Sequence, residues 1–186
     1  MLEFSMTVGS RKVAGRERFA ITNPATGAVV GHAPNASLDD LEAAVAAAKS
    51  AFPSWAALPD DQRQAACAAL AGRLAERAEA IARVLTQEQG KTWADAEGDV
   101  FRGLEVVEHA CSIATLQMGE FSENVANEVD TYTLRQPIGV CVGITPFNFP
   151  AMIPLWMFPM AIVCGNTFVL KPSEQDPLST QELVAL

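Results

Sequence analysis

The chain has 186 residues, 49% hydrophobic and 19% charged, so it can bury one substantial core and is too apolar to be disordered. With 13 Lys and Arg against 22 Asp and Glu, its formal net charge is −9 and its pI near 4.7, which excludes the cationic surface of a nucleic-acid binder and docking on anionic lipid. Cys67, Cys111, Cys141 and Cys164 show no CxxC pairing and no His at ligand spacing, so reduced core thiols and no metal site are expected.

The start, MLEFSMTVGSRK, lacks the apolar run of a signal peptide and fits a transit peptide poorly. Turn residues at Gly9-Ser10, Gly15, Asn23-Pro24 and Thr26-Gly27 divide the first 33 positions, predicting two or three short strands around Phe19-Ala20-Ile21 and Ala28-Val29-Val30. Ser37 before Leu38-Asp39-Asp40 caps a helix with Leu41, Val45, Ala48 and Phe52 on one face, and Pro53 is the expected stop. Pro59-Asp60-Asp61 opens a second helix, whose stripe Leu70, Leu74, Ala78, Ile81, Leu85 ends near Gly90. A third is predicted from about Thr92 to Met118 through Trp93, Val100, Leu104, Val107 and Cys111.

From Val129 the composition turns to strand formers, Val129 to Leu134. Between Arg135 and Lys171 no side chain is charged. That interval could span a bilayer by length, but Pro137, Pro146, Pro150, Pro154 and Pro159 would repeatedly expose backbone groups that lipid cannot satisfy, so it reads as a core. Within it, Gly139 to Thr145 is expected as a strand covered on both faces of a parallel sheet. A buried helix from Met152 to Val163, a turn at Gly165-Asn166 and a strand from Thr167 to Leu170 follow, and Asp176-Pro177 offers the cap and first residue of a last helix. Strand, helix, strand, helix is the pattern of a doubly wound α/β fold.

Six segments in order give the chain a resemblance to the aldehyde dehydrogenase superfamily: Asn23-Pro24-Ala25-Thr26-Gly27, AAVAAAKSAFPSW, Glu88-Gln89-Gly90-Lys91, Phe147-Asn148-Phe149-Pro150, Gly165-Asn166-Thr167 and Lys171-Pro172-Ser173-Glu174. The wording of GVCVGITPFNFPAMIPLWMFPMAIVCGNTF, with Phe147 where most members carry Trp, and of Gly98 to Glu105 resembles the CoA-acylating methylmalonate-semialdehyde dehydrogenase branch. The resemblance implies an incomplete doubly wound sheet: N-terminal strands and helices over 1–121, strands of the oligomerisation element over 122–136, and the first βαβ of the nucleotide-binding sheet over 137–186. It also implies NAD as cofactor, coenzyme A as co-substrate and a small semialdehyde substrate. The family is homo-oligomeric; this chain in isolation, with an open sheet edge after Thr167 to Leu170 and an uncovered apolar face, is expected to aggregate rather than to form that oligomer. The expected location is cytoplasmic, or the mitochondrial matrix in a eukaryote.

By the same resemblance Asn148 is the amide of the oxyanion hole, framed by Phe147, Phe149 and Pro150 in a dry pocket. On the residues alone the plainer alternative is an Asn that satisfies a strand-end turn. Lys171 and Glu174 match the pair that holds the adenosine ribose, where a carboxylate favours NAD over NADP. Their plain alternative is a solvated loop pair. Ile144, Thr145, Pro146 and Phe147 would border the cofactor, and no GxGxxG fingerprint is present. Arg102 matches a clamp for the substrate carboxylate, or is simply a surface charge on an amphipathic helix. No cysteine falls where the family places its nucleophile. The last helix reaches Leu186 without a cap, so the chain is expected to be the front part of an enzyme, inactive alone. Two other readings stay open: a non-catalytic protein that pairs with full-length subunits, and part of a non-acylating dehydrogenase.

Overall fold

A computed structural model of the chain describes residues 2–186. The N-terminal region forms five strands, β1 (Leu2–Glu3), β2 (Met6–Val8), β3 (Arg11–Val13), β4 (Glu17–Thr22) and β5 (Val29–Asn35). β5 is central, with β1 parallel and β4 antiparallel to it, while β2 and β3 form a separate hairpin. More strands form than the expected two or three, because β1 to β3 have only two or three residues and are too short to show an alternation.

Helix α1 (Leu38–Ala56) opens on a reciprocal cap. The Ser37 hydroxyl accepts from the Asp40 amide, and the Asp40 carboxylate accepts from the Ser37 amide at 2.9 Å. The Ser37 donors hold the Asp40 carboxyl below its ordinary range. Pro53 does not stop this helix. It lies in the final turn, which continues because Ala57 donates to the Pro53 carbonyl and Trp55 Nε1 donates to the Ile162 carbonyl at 2.8 Å. That long-range anchor outweighs the missing N–H of the proline.

Helix α2 (Asp60–Gln89) buries Leu74, Ile81 and Leu85 from its predicted stripe and ends at Gly90, whose φ of 86° is left-handed. The predicted third helix is divided. Thr92 caps α3 (Trp93–Ala110), the Ser112 hydroxyl turns back onto the His109 carbonyl, and a short α4 (Ala114–Gln117) follows. Such a local bond competes with the helical ladder. Strands β6 (Phe121–Ala126) and β7 (Val129–Tyr132) then form an antiparallel hairpin, exposed at every position.

The uncharged interval folds as a right-sized βαβ unit: β8 (Val140–Ile144), α5 (Met152–Val163) and β9 (Thr167–Lys171), with the two strands parallel. α6 (Pro177–Val184) closes the chain. The main core lies where α2, α3 and α5 meet, through Leu74, Ile81, Leu85, Val100, Val107 and Leu155. Gly103 allows α3 to approach α5, since a Cβ there would lie 3.1 Å from the Leu155 Cβ and collide with the rest of that side chain. Asn166, buried, fastens the αβ turn: its Oδ1 accepts from the Ile138 and Gly139 amides at 2.7 and 3.1 Å. Arg63, also buried, donates to the Val163 carbonyl at 2.9 Å and ties α2 to the end of α5.

One expectation fails here. β8 is not covered on both faces: Val142 and Ile144 are 59% and 72% exposed. The parallel sheet has only two strands among the described residues, so α1 and α5 pack on it without enclosing it. The cysteines are free: Cys67 is buried and the others partly so. Burial pushes the Cys67 thiol up to about 11 and raises Cys111 and Cys164 as well. Among the described residues, no helix is long and apolar enough to cross a membrane, and no group of three or more His, Cys, Asp or Glu is placed to hold a metal ion.

Candidate functional site at the carboxyl edge of the parallel strands

Parallel strands joined by a crossover helix present their carboxyl ends, and the loops after them, on one side of the sheet. Here the register pairs Ile144 with Lys171, and the Thr145 amide donates to the Lys171 carbonyl at 3.1 Å. The loop after β8 carries Pro146, Phe147 and Asn148, while the loop after β9 carries Glu174. Lys171 Nζ donates to Glu174 Oε2 at 2.9 Å across an exposed turn, and this bond holds the Glu174 carboxyl below its ordinary range. Phe147 and Glu174 line one cleft of about 420 Å³, with Thr22, Pro24, Glu88 and Asp176 on its other walls. Thus Ile144, Thr145, Pro146, Phe147, Asn148, Lys171 and Glu174 lie along one edge. Arg102 is not joined to that group. It is exposed on α3, and its guanidinium donates to Glu105 one turn away at 3.0 Å.

The expected dry pocket around Asn148 is not found within this chain. Asn148 is exposed, Phe147 and Phe149 are 50% and 37% exposed, and only Pro150 of the frame is buried. The loop leaves the carboxyl end of β8 in a sheet of only two strands among the described residues. The geometry underneath is nonetheless well defined. Asp99 of α3 accepts from the Met152 amide through Oδ1 at 2.6 Å and from Lys91 Nζ through Oδ2 at 2.7 Å. The Lys91 ammonium also stands 3.9 Å from the centroid of the Phe149 ring. On the far side, the Thr180 hydroxyl of α6 donates to the Pro150 carbonyl at 2.7 Å.

On the cleft wall is a pair of buried acids that sequence reasoning did not bring together. Asp176 was expected to cap α6, but it makes no side-chain cap. Glu88 does so instead, its two oxygens accepting from the Leu178 and Ser179 amides at 2.7 and 2.6 Å. Asp176 is 1% exposed, and neither carboxylate oxygen has a hydrogen-bond partner among the described residues. Burial pushes both acids up to about 7, Glu88 against the pull of its amide donors and Asp176 with Asp99 and Glu174 adding to the effect. Glu88 and Lys91 were visible as a motif, and Asp99 stands eight residues after Lys91, but that spacing crosses from a helix end into the next helix and only the packing of α2 against α3 gives it meaning.

These features define a class: an α/β chain with a parallel βαβ unit and a polar site at the carboxyl edge of its strands. The model of the aldehyde dehydrogenase family matches residues 11–186. The chain belongs to the aldehyde dehydrogenase family. It is 57% identical over 157 residues to an acylating methylmalonate-semialdehyde dehydrogenase of Arabidopsis thaliana, covering 84% of this chain and 26% of that protein. It is 56% identical over 166 residues to the acylating methylmalonate-semialdehyde/malonate-semialdehyde dehydrogenase of Rattus norvegicus, covering 89% of this chain and 31% of that one. Both relatives are described as mitochondrial.

Among solved structures, the methylmalonate-semialdehyde dehydrogenase of Oceanimonas doudoroffii superposes with a TM-score of 0.94 at 43% identity, covering 98% of this chain and 38% of that one. A Sinorhizobium meliloti chain described as such a dehydrogenase, solved with NAD, gives 0.90 at 46% identity, covering 95% and 36%. The chain therefore spans between a quarter and a third of the length of these curated relatives.

Proposed function

We propose that this chain supplies the oxyanion donor and the adenosine-side clamp of an NAD-dependent, CoA-acylating dehydrogenase of methylmalonate or malonate semialdehyde. The observation that carries the reading is the β8–β9 register, which gathers Ile144, Thr145, Phe147, Asn148, Lys171 and Glu174 at one strand edge. The identity to acylating methylmalonate-semialdehyde dehydrogenases supports the choice of branch.

The residues fit a dinucleotide. Glu174 is exposed, and with Oε2 on Lys171 its Oε1 is left to accept from a ribose hydroxyl. A carboxylate there repels a 2′-phosphate, which favours NAD. Ile144, Thr145, Pro146 and Phe147 would border it. When bound, NAD would accept the hydride, and coenzyme A would take the acyl group from an enzyme thioester, with the substrate carboxylate leaving as carbon dioxide. Asn148 donates its amide N–H to the oxygen of the attacked aldehyde as negative charge develops there. Arg102 would meet the semialdehyde carboxylate after exchanging its bond to Glu105 for a two-pronged one. Burial raises the thiols of Cys67, Cys111 and Cys164, which disfavours the thiolate that this step needs at those three positions. The 186-residue chain by itself is proposed to be inactive.

The test is Asn148→Ala in the full-length enzyme that carries this sequence, followed by NADH formation. Losing one oxyanion donor lowers kcat by about 10²–10³-fold. An unchanged kcat would remove Asn148 from the mechanism.

A second reading draws on a separate observation. The β6–β7 hairpin exposes Phe121, Val125, Val129, Tyr132 and the neighbouring Leu134, which suits pairing with other subunits. Failure of the chain to co-purify with full-length enzyme would count against it.

A further inference from the structure

We infer that Lys91 and Asp99 are positioning residues for Asn148, holding its loop in register from beneath; the inference rests on the oxyanion reading above. Helix α5 begins at Met152, four residues after Asn148, with Ala151 at its cap position and no side-chain cap of its own. Its free N–H is taken by Asp99, whose side chain is fully buried and whose Oδ1 lies 2.6 Å from the Met152 nitrogen. An unpaired carboxylate at that depth would be very costly, and the Lys91 ammonium, 12% exposed, neutralises it at 2.7 Å. The same ammonium stands 3.9 Å from the Phe149 ring centroid, so one cation fixes both the carboxylate under Met152 and the ring next to Asn148.

The remaining tethers complete the frame. Thr180 bonds the Pro150 carbonyl at 2.7 Å, and the Thr145 amide is bonded to Lys171 on the strand side. Residues 146–148 are thus the free arc between fixed points at Thr145 and at Phe149, Pro150 and Met152. Asn148 is exposed on that arc, with fixed points on either side of it. Its position is set by the two ends. Lys91 comes from the connection between α2 and α3 and Asp99 from α3, both outside the βαβ unit, and they meet it at the Met152 amide and the Phe149 ring. Their effect on chemistry passes through the loop, and a displacement of about 1 Å at a reacting group can cost about 10²-fold in rate.

The experiment is a double-mutant cycle in the full-length enzyme, with kcat and KM measured separately. Lys91→Met is expected to lower kcat by about 10- to 100-fold, leave KM for NAD within about two-fold, and add little to the loss already caused by Asn148→Ala. Lys91→Arg should recover most of the rate. Should Lys91→Met fail to fold, Phe149→Leu removes the ring from under the ammonium while keeping the buried ion pair, and the same non-additivity is expected of it. Full additivity with Asn148→Ala, or a Lys91→Met and Phe149→Leu pair that both keep wild-type kcat, would overturn the positioning role while leaving the oxyanion reading intact. An Asn148→Ala variant with wild-type kcat would overturn both.

Discussion

At the residue scale the most informative groups are Glu88 and Asp176, two carboxylic acids that the fold keeps from water. Each titrates near 7 in the folded chain against ordinary values of 4.5 and 3.8, chiefly because burial disfavours the charged form. Between those limits the folded state holds protons that the unfolded state has released, so stability falls as pH rises from about 4 to about 7 and then levels off. Asp176 faces Ser173 and Glu174 on its own loop and feels Asp99 from α3 and Lys91 from the connection before it; Lys91 alone among these carries positive charge. Asp176→Asn removes a buried acid whose oxygens have no partners, and should stabilise the chain at pH 8 by about 1 kcal/mol or more and by distinctly less at pH 5. Denaturant unfolding followed by tryptophan fluorescence in dilute solution, at the two pH values, measures this. Equal stability at both, with no effect of the variant, would show that Asp176 ionises freely.

At the element scale, periodic segments were legible and long-range ones were not. Helix α5 runs over the predicted Met152 to Val163, and Gly90 ends α2 as expected, because both signals are local: an apolar run between turn residues, and a glycine that tolerates a positive φ. Pro53 was misleading because the bond that carries α1 past it comes from Ile162, far along the chain. Asp176 was misleading for the same reason, since the acid that caps α6 arrives from α2. Of the site, the strand-edge residues were named by the family resemblance, and the order strand, helix, strand put them at the ends of β8 and β9, whereas the Lys91–Asp99 support depends on how α2 meets α3. The contact between α3 and α5 offers a direct check. Gly103→Ala places a methyl against Leu155 with no open space to accept it, and should destabilise by about 1–3 kcal/mol. Gly72→Ala, on α2 with nothing near the added methyl, should instead be neutral or stabilising.

At the scale of the whole molecule, the core among α2, α3 and α5 is closed while two surfaces are open. β8 and β9 have only each other as strand partners among the described residues, with Val142 and Ile144 uncovered, and the β6–β7 hairpin is exposed along its length. Open strand edges and apolar patches favour association, and a net charge of −9 slows it without removing the cause. The 186-residue chain is therefore expected to self-associate with rising concentration in light scattering. A monodisperse monomer with a cooperative melt would contradict that.

The central proposal joins this surface to an acylating semialdehyde dehydrogenase, and its most direct test is the reaction product. Full-length enzyme carrying this sequence should form NADH from methylmalonate semialdehyde and yield an acyl-CoA one carbon shorter, with carbon dioxide, only when coenzyme A is present, and the 186-residue chain should yield none. Free carboxylic acid formed at an undiminished rate without coenzyme A, or turnover by the 186-residue chain itself, would contradict it.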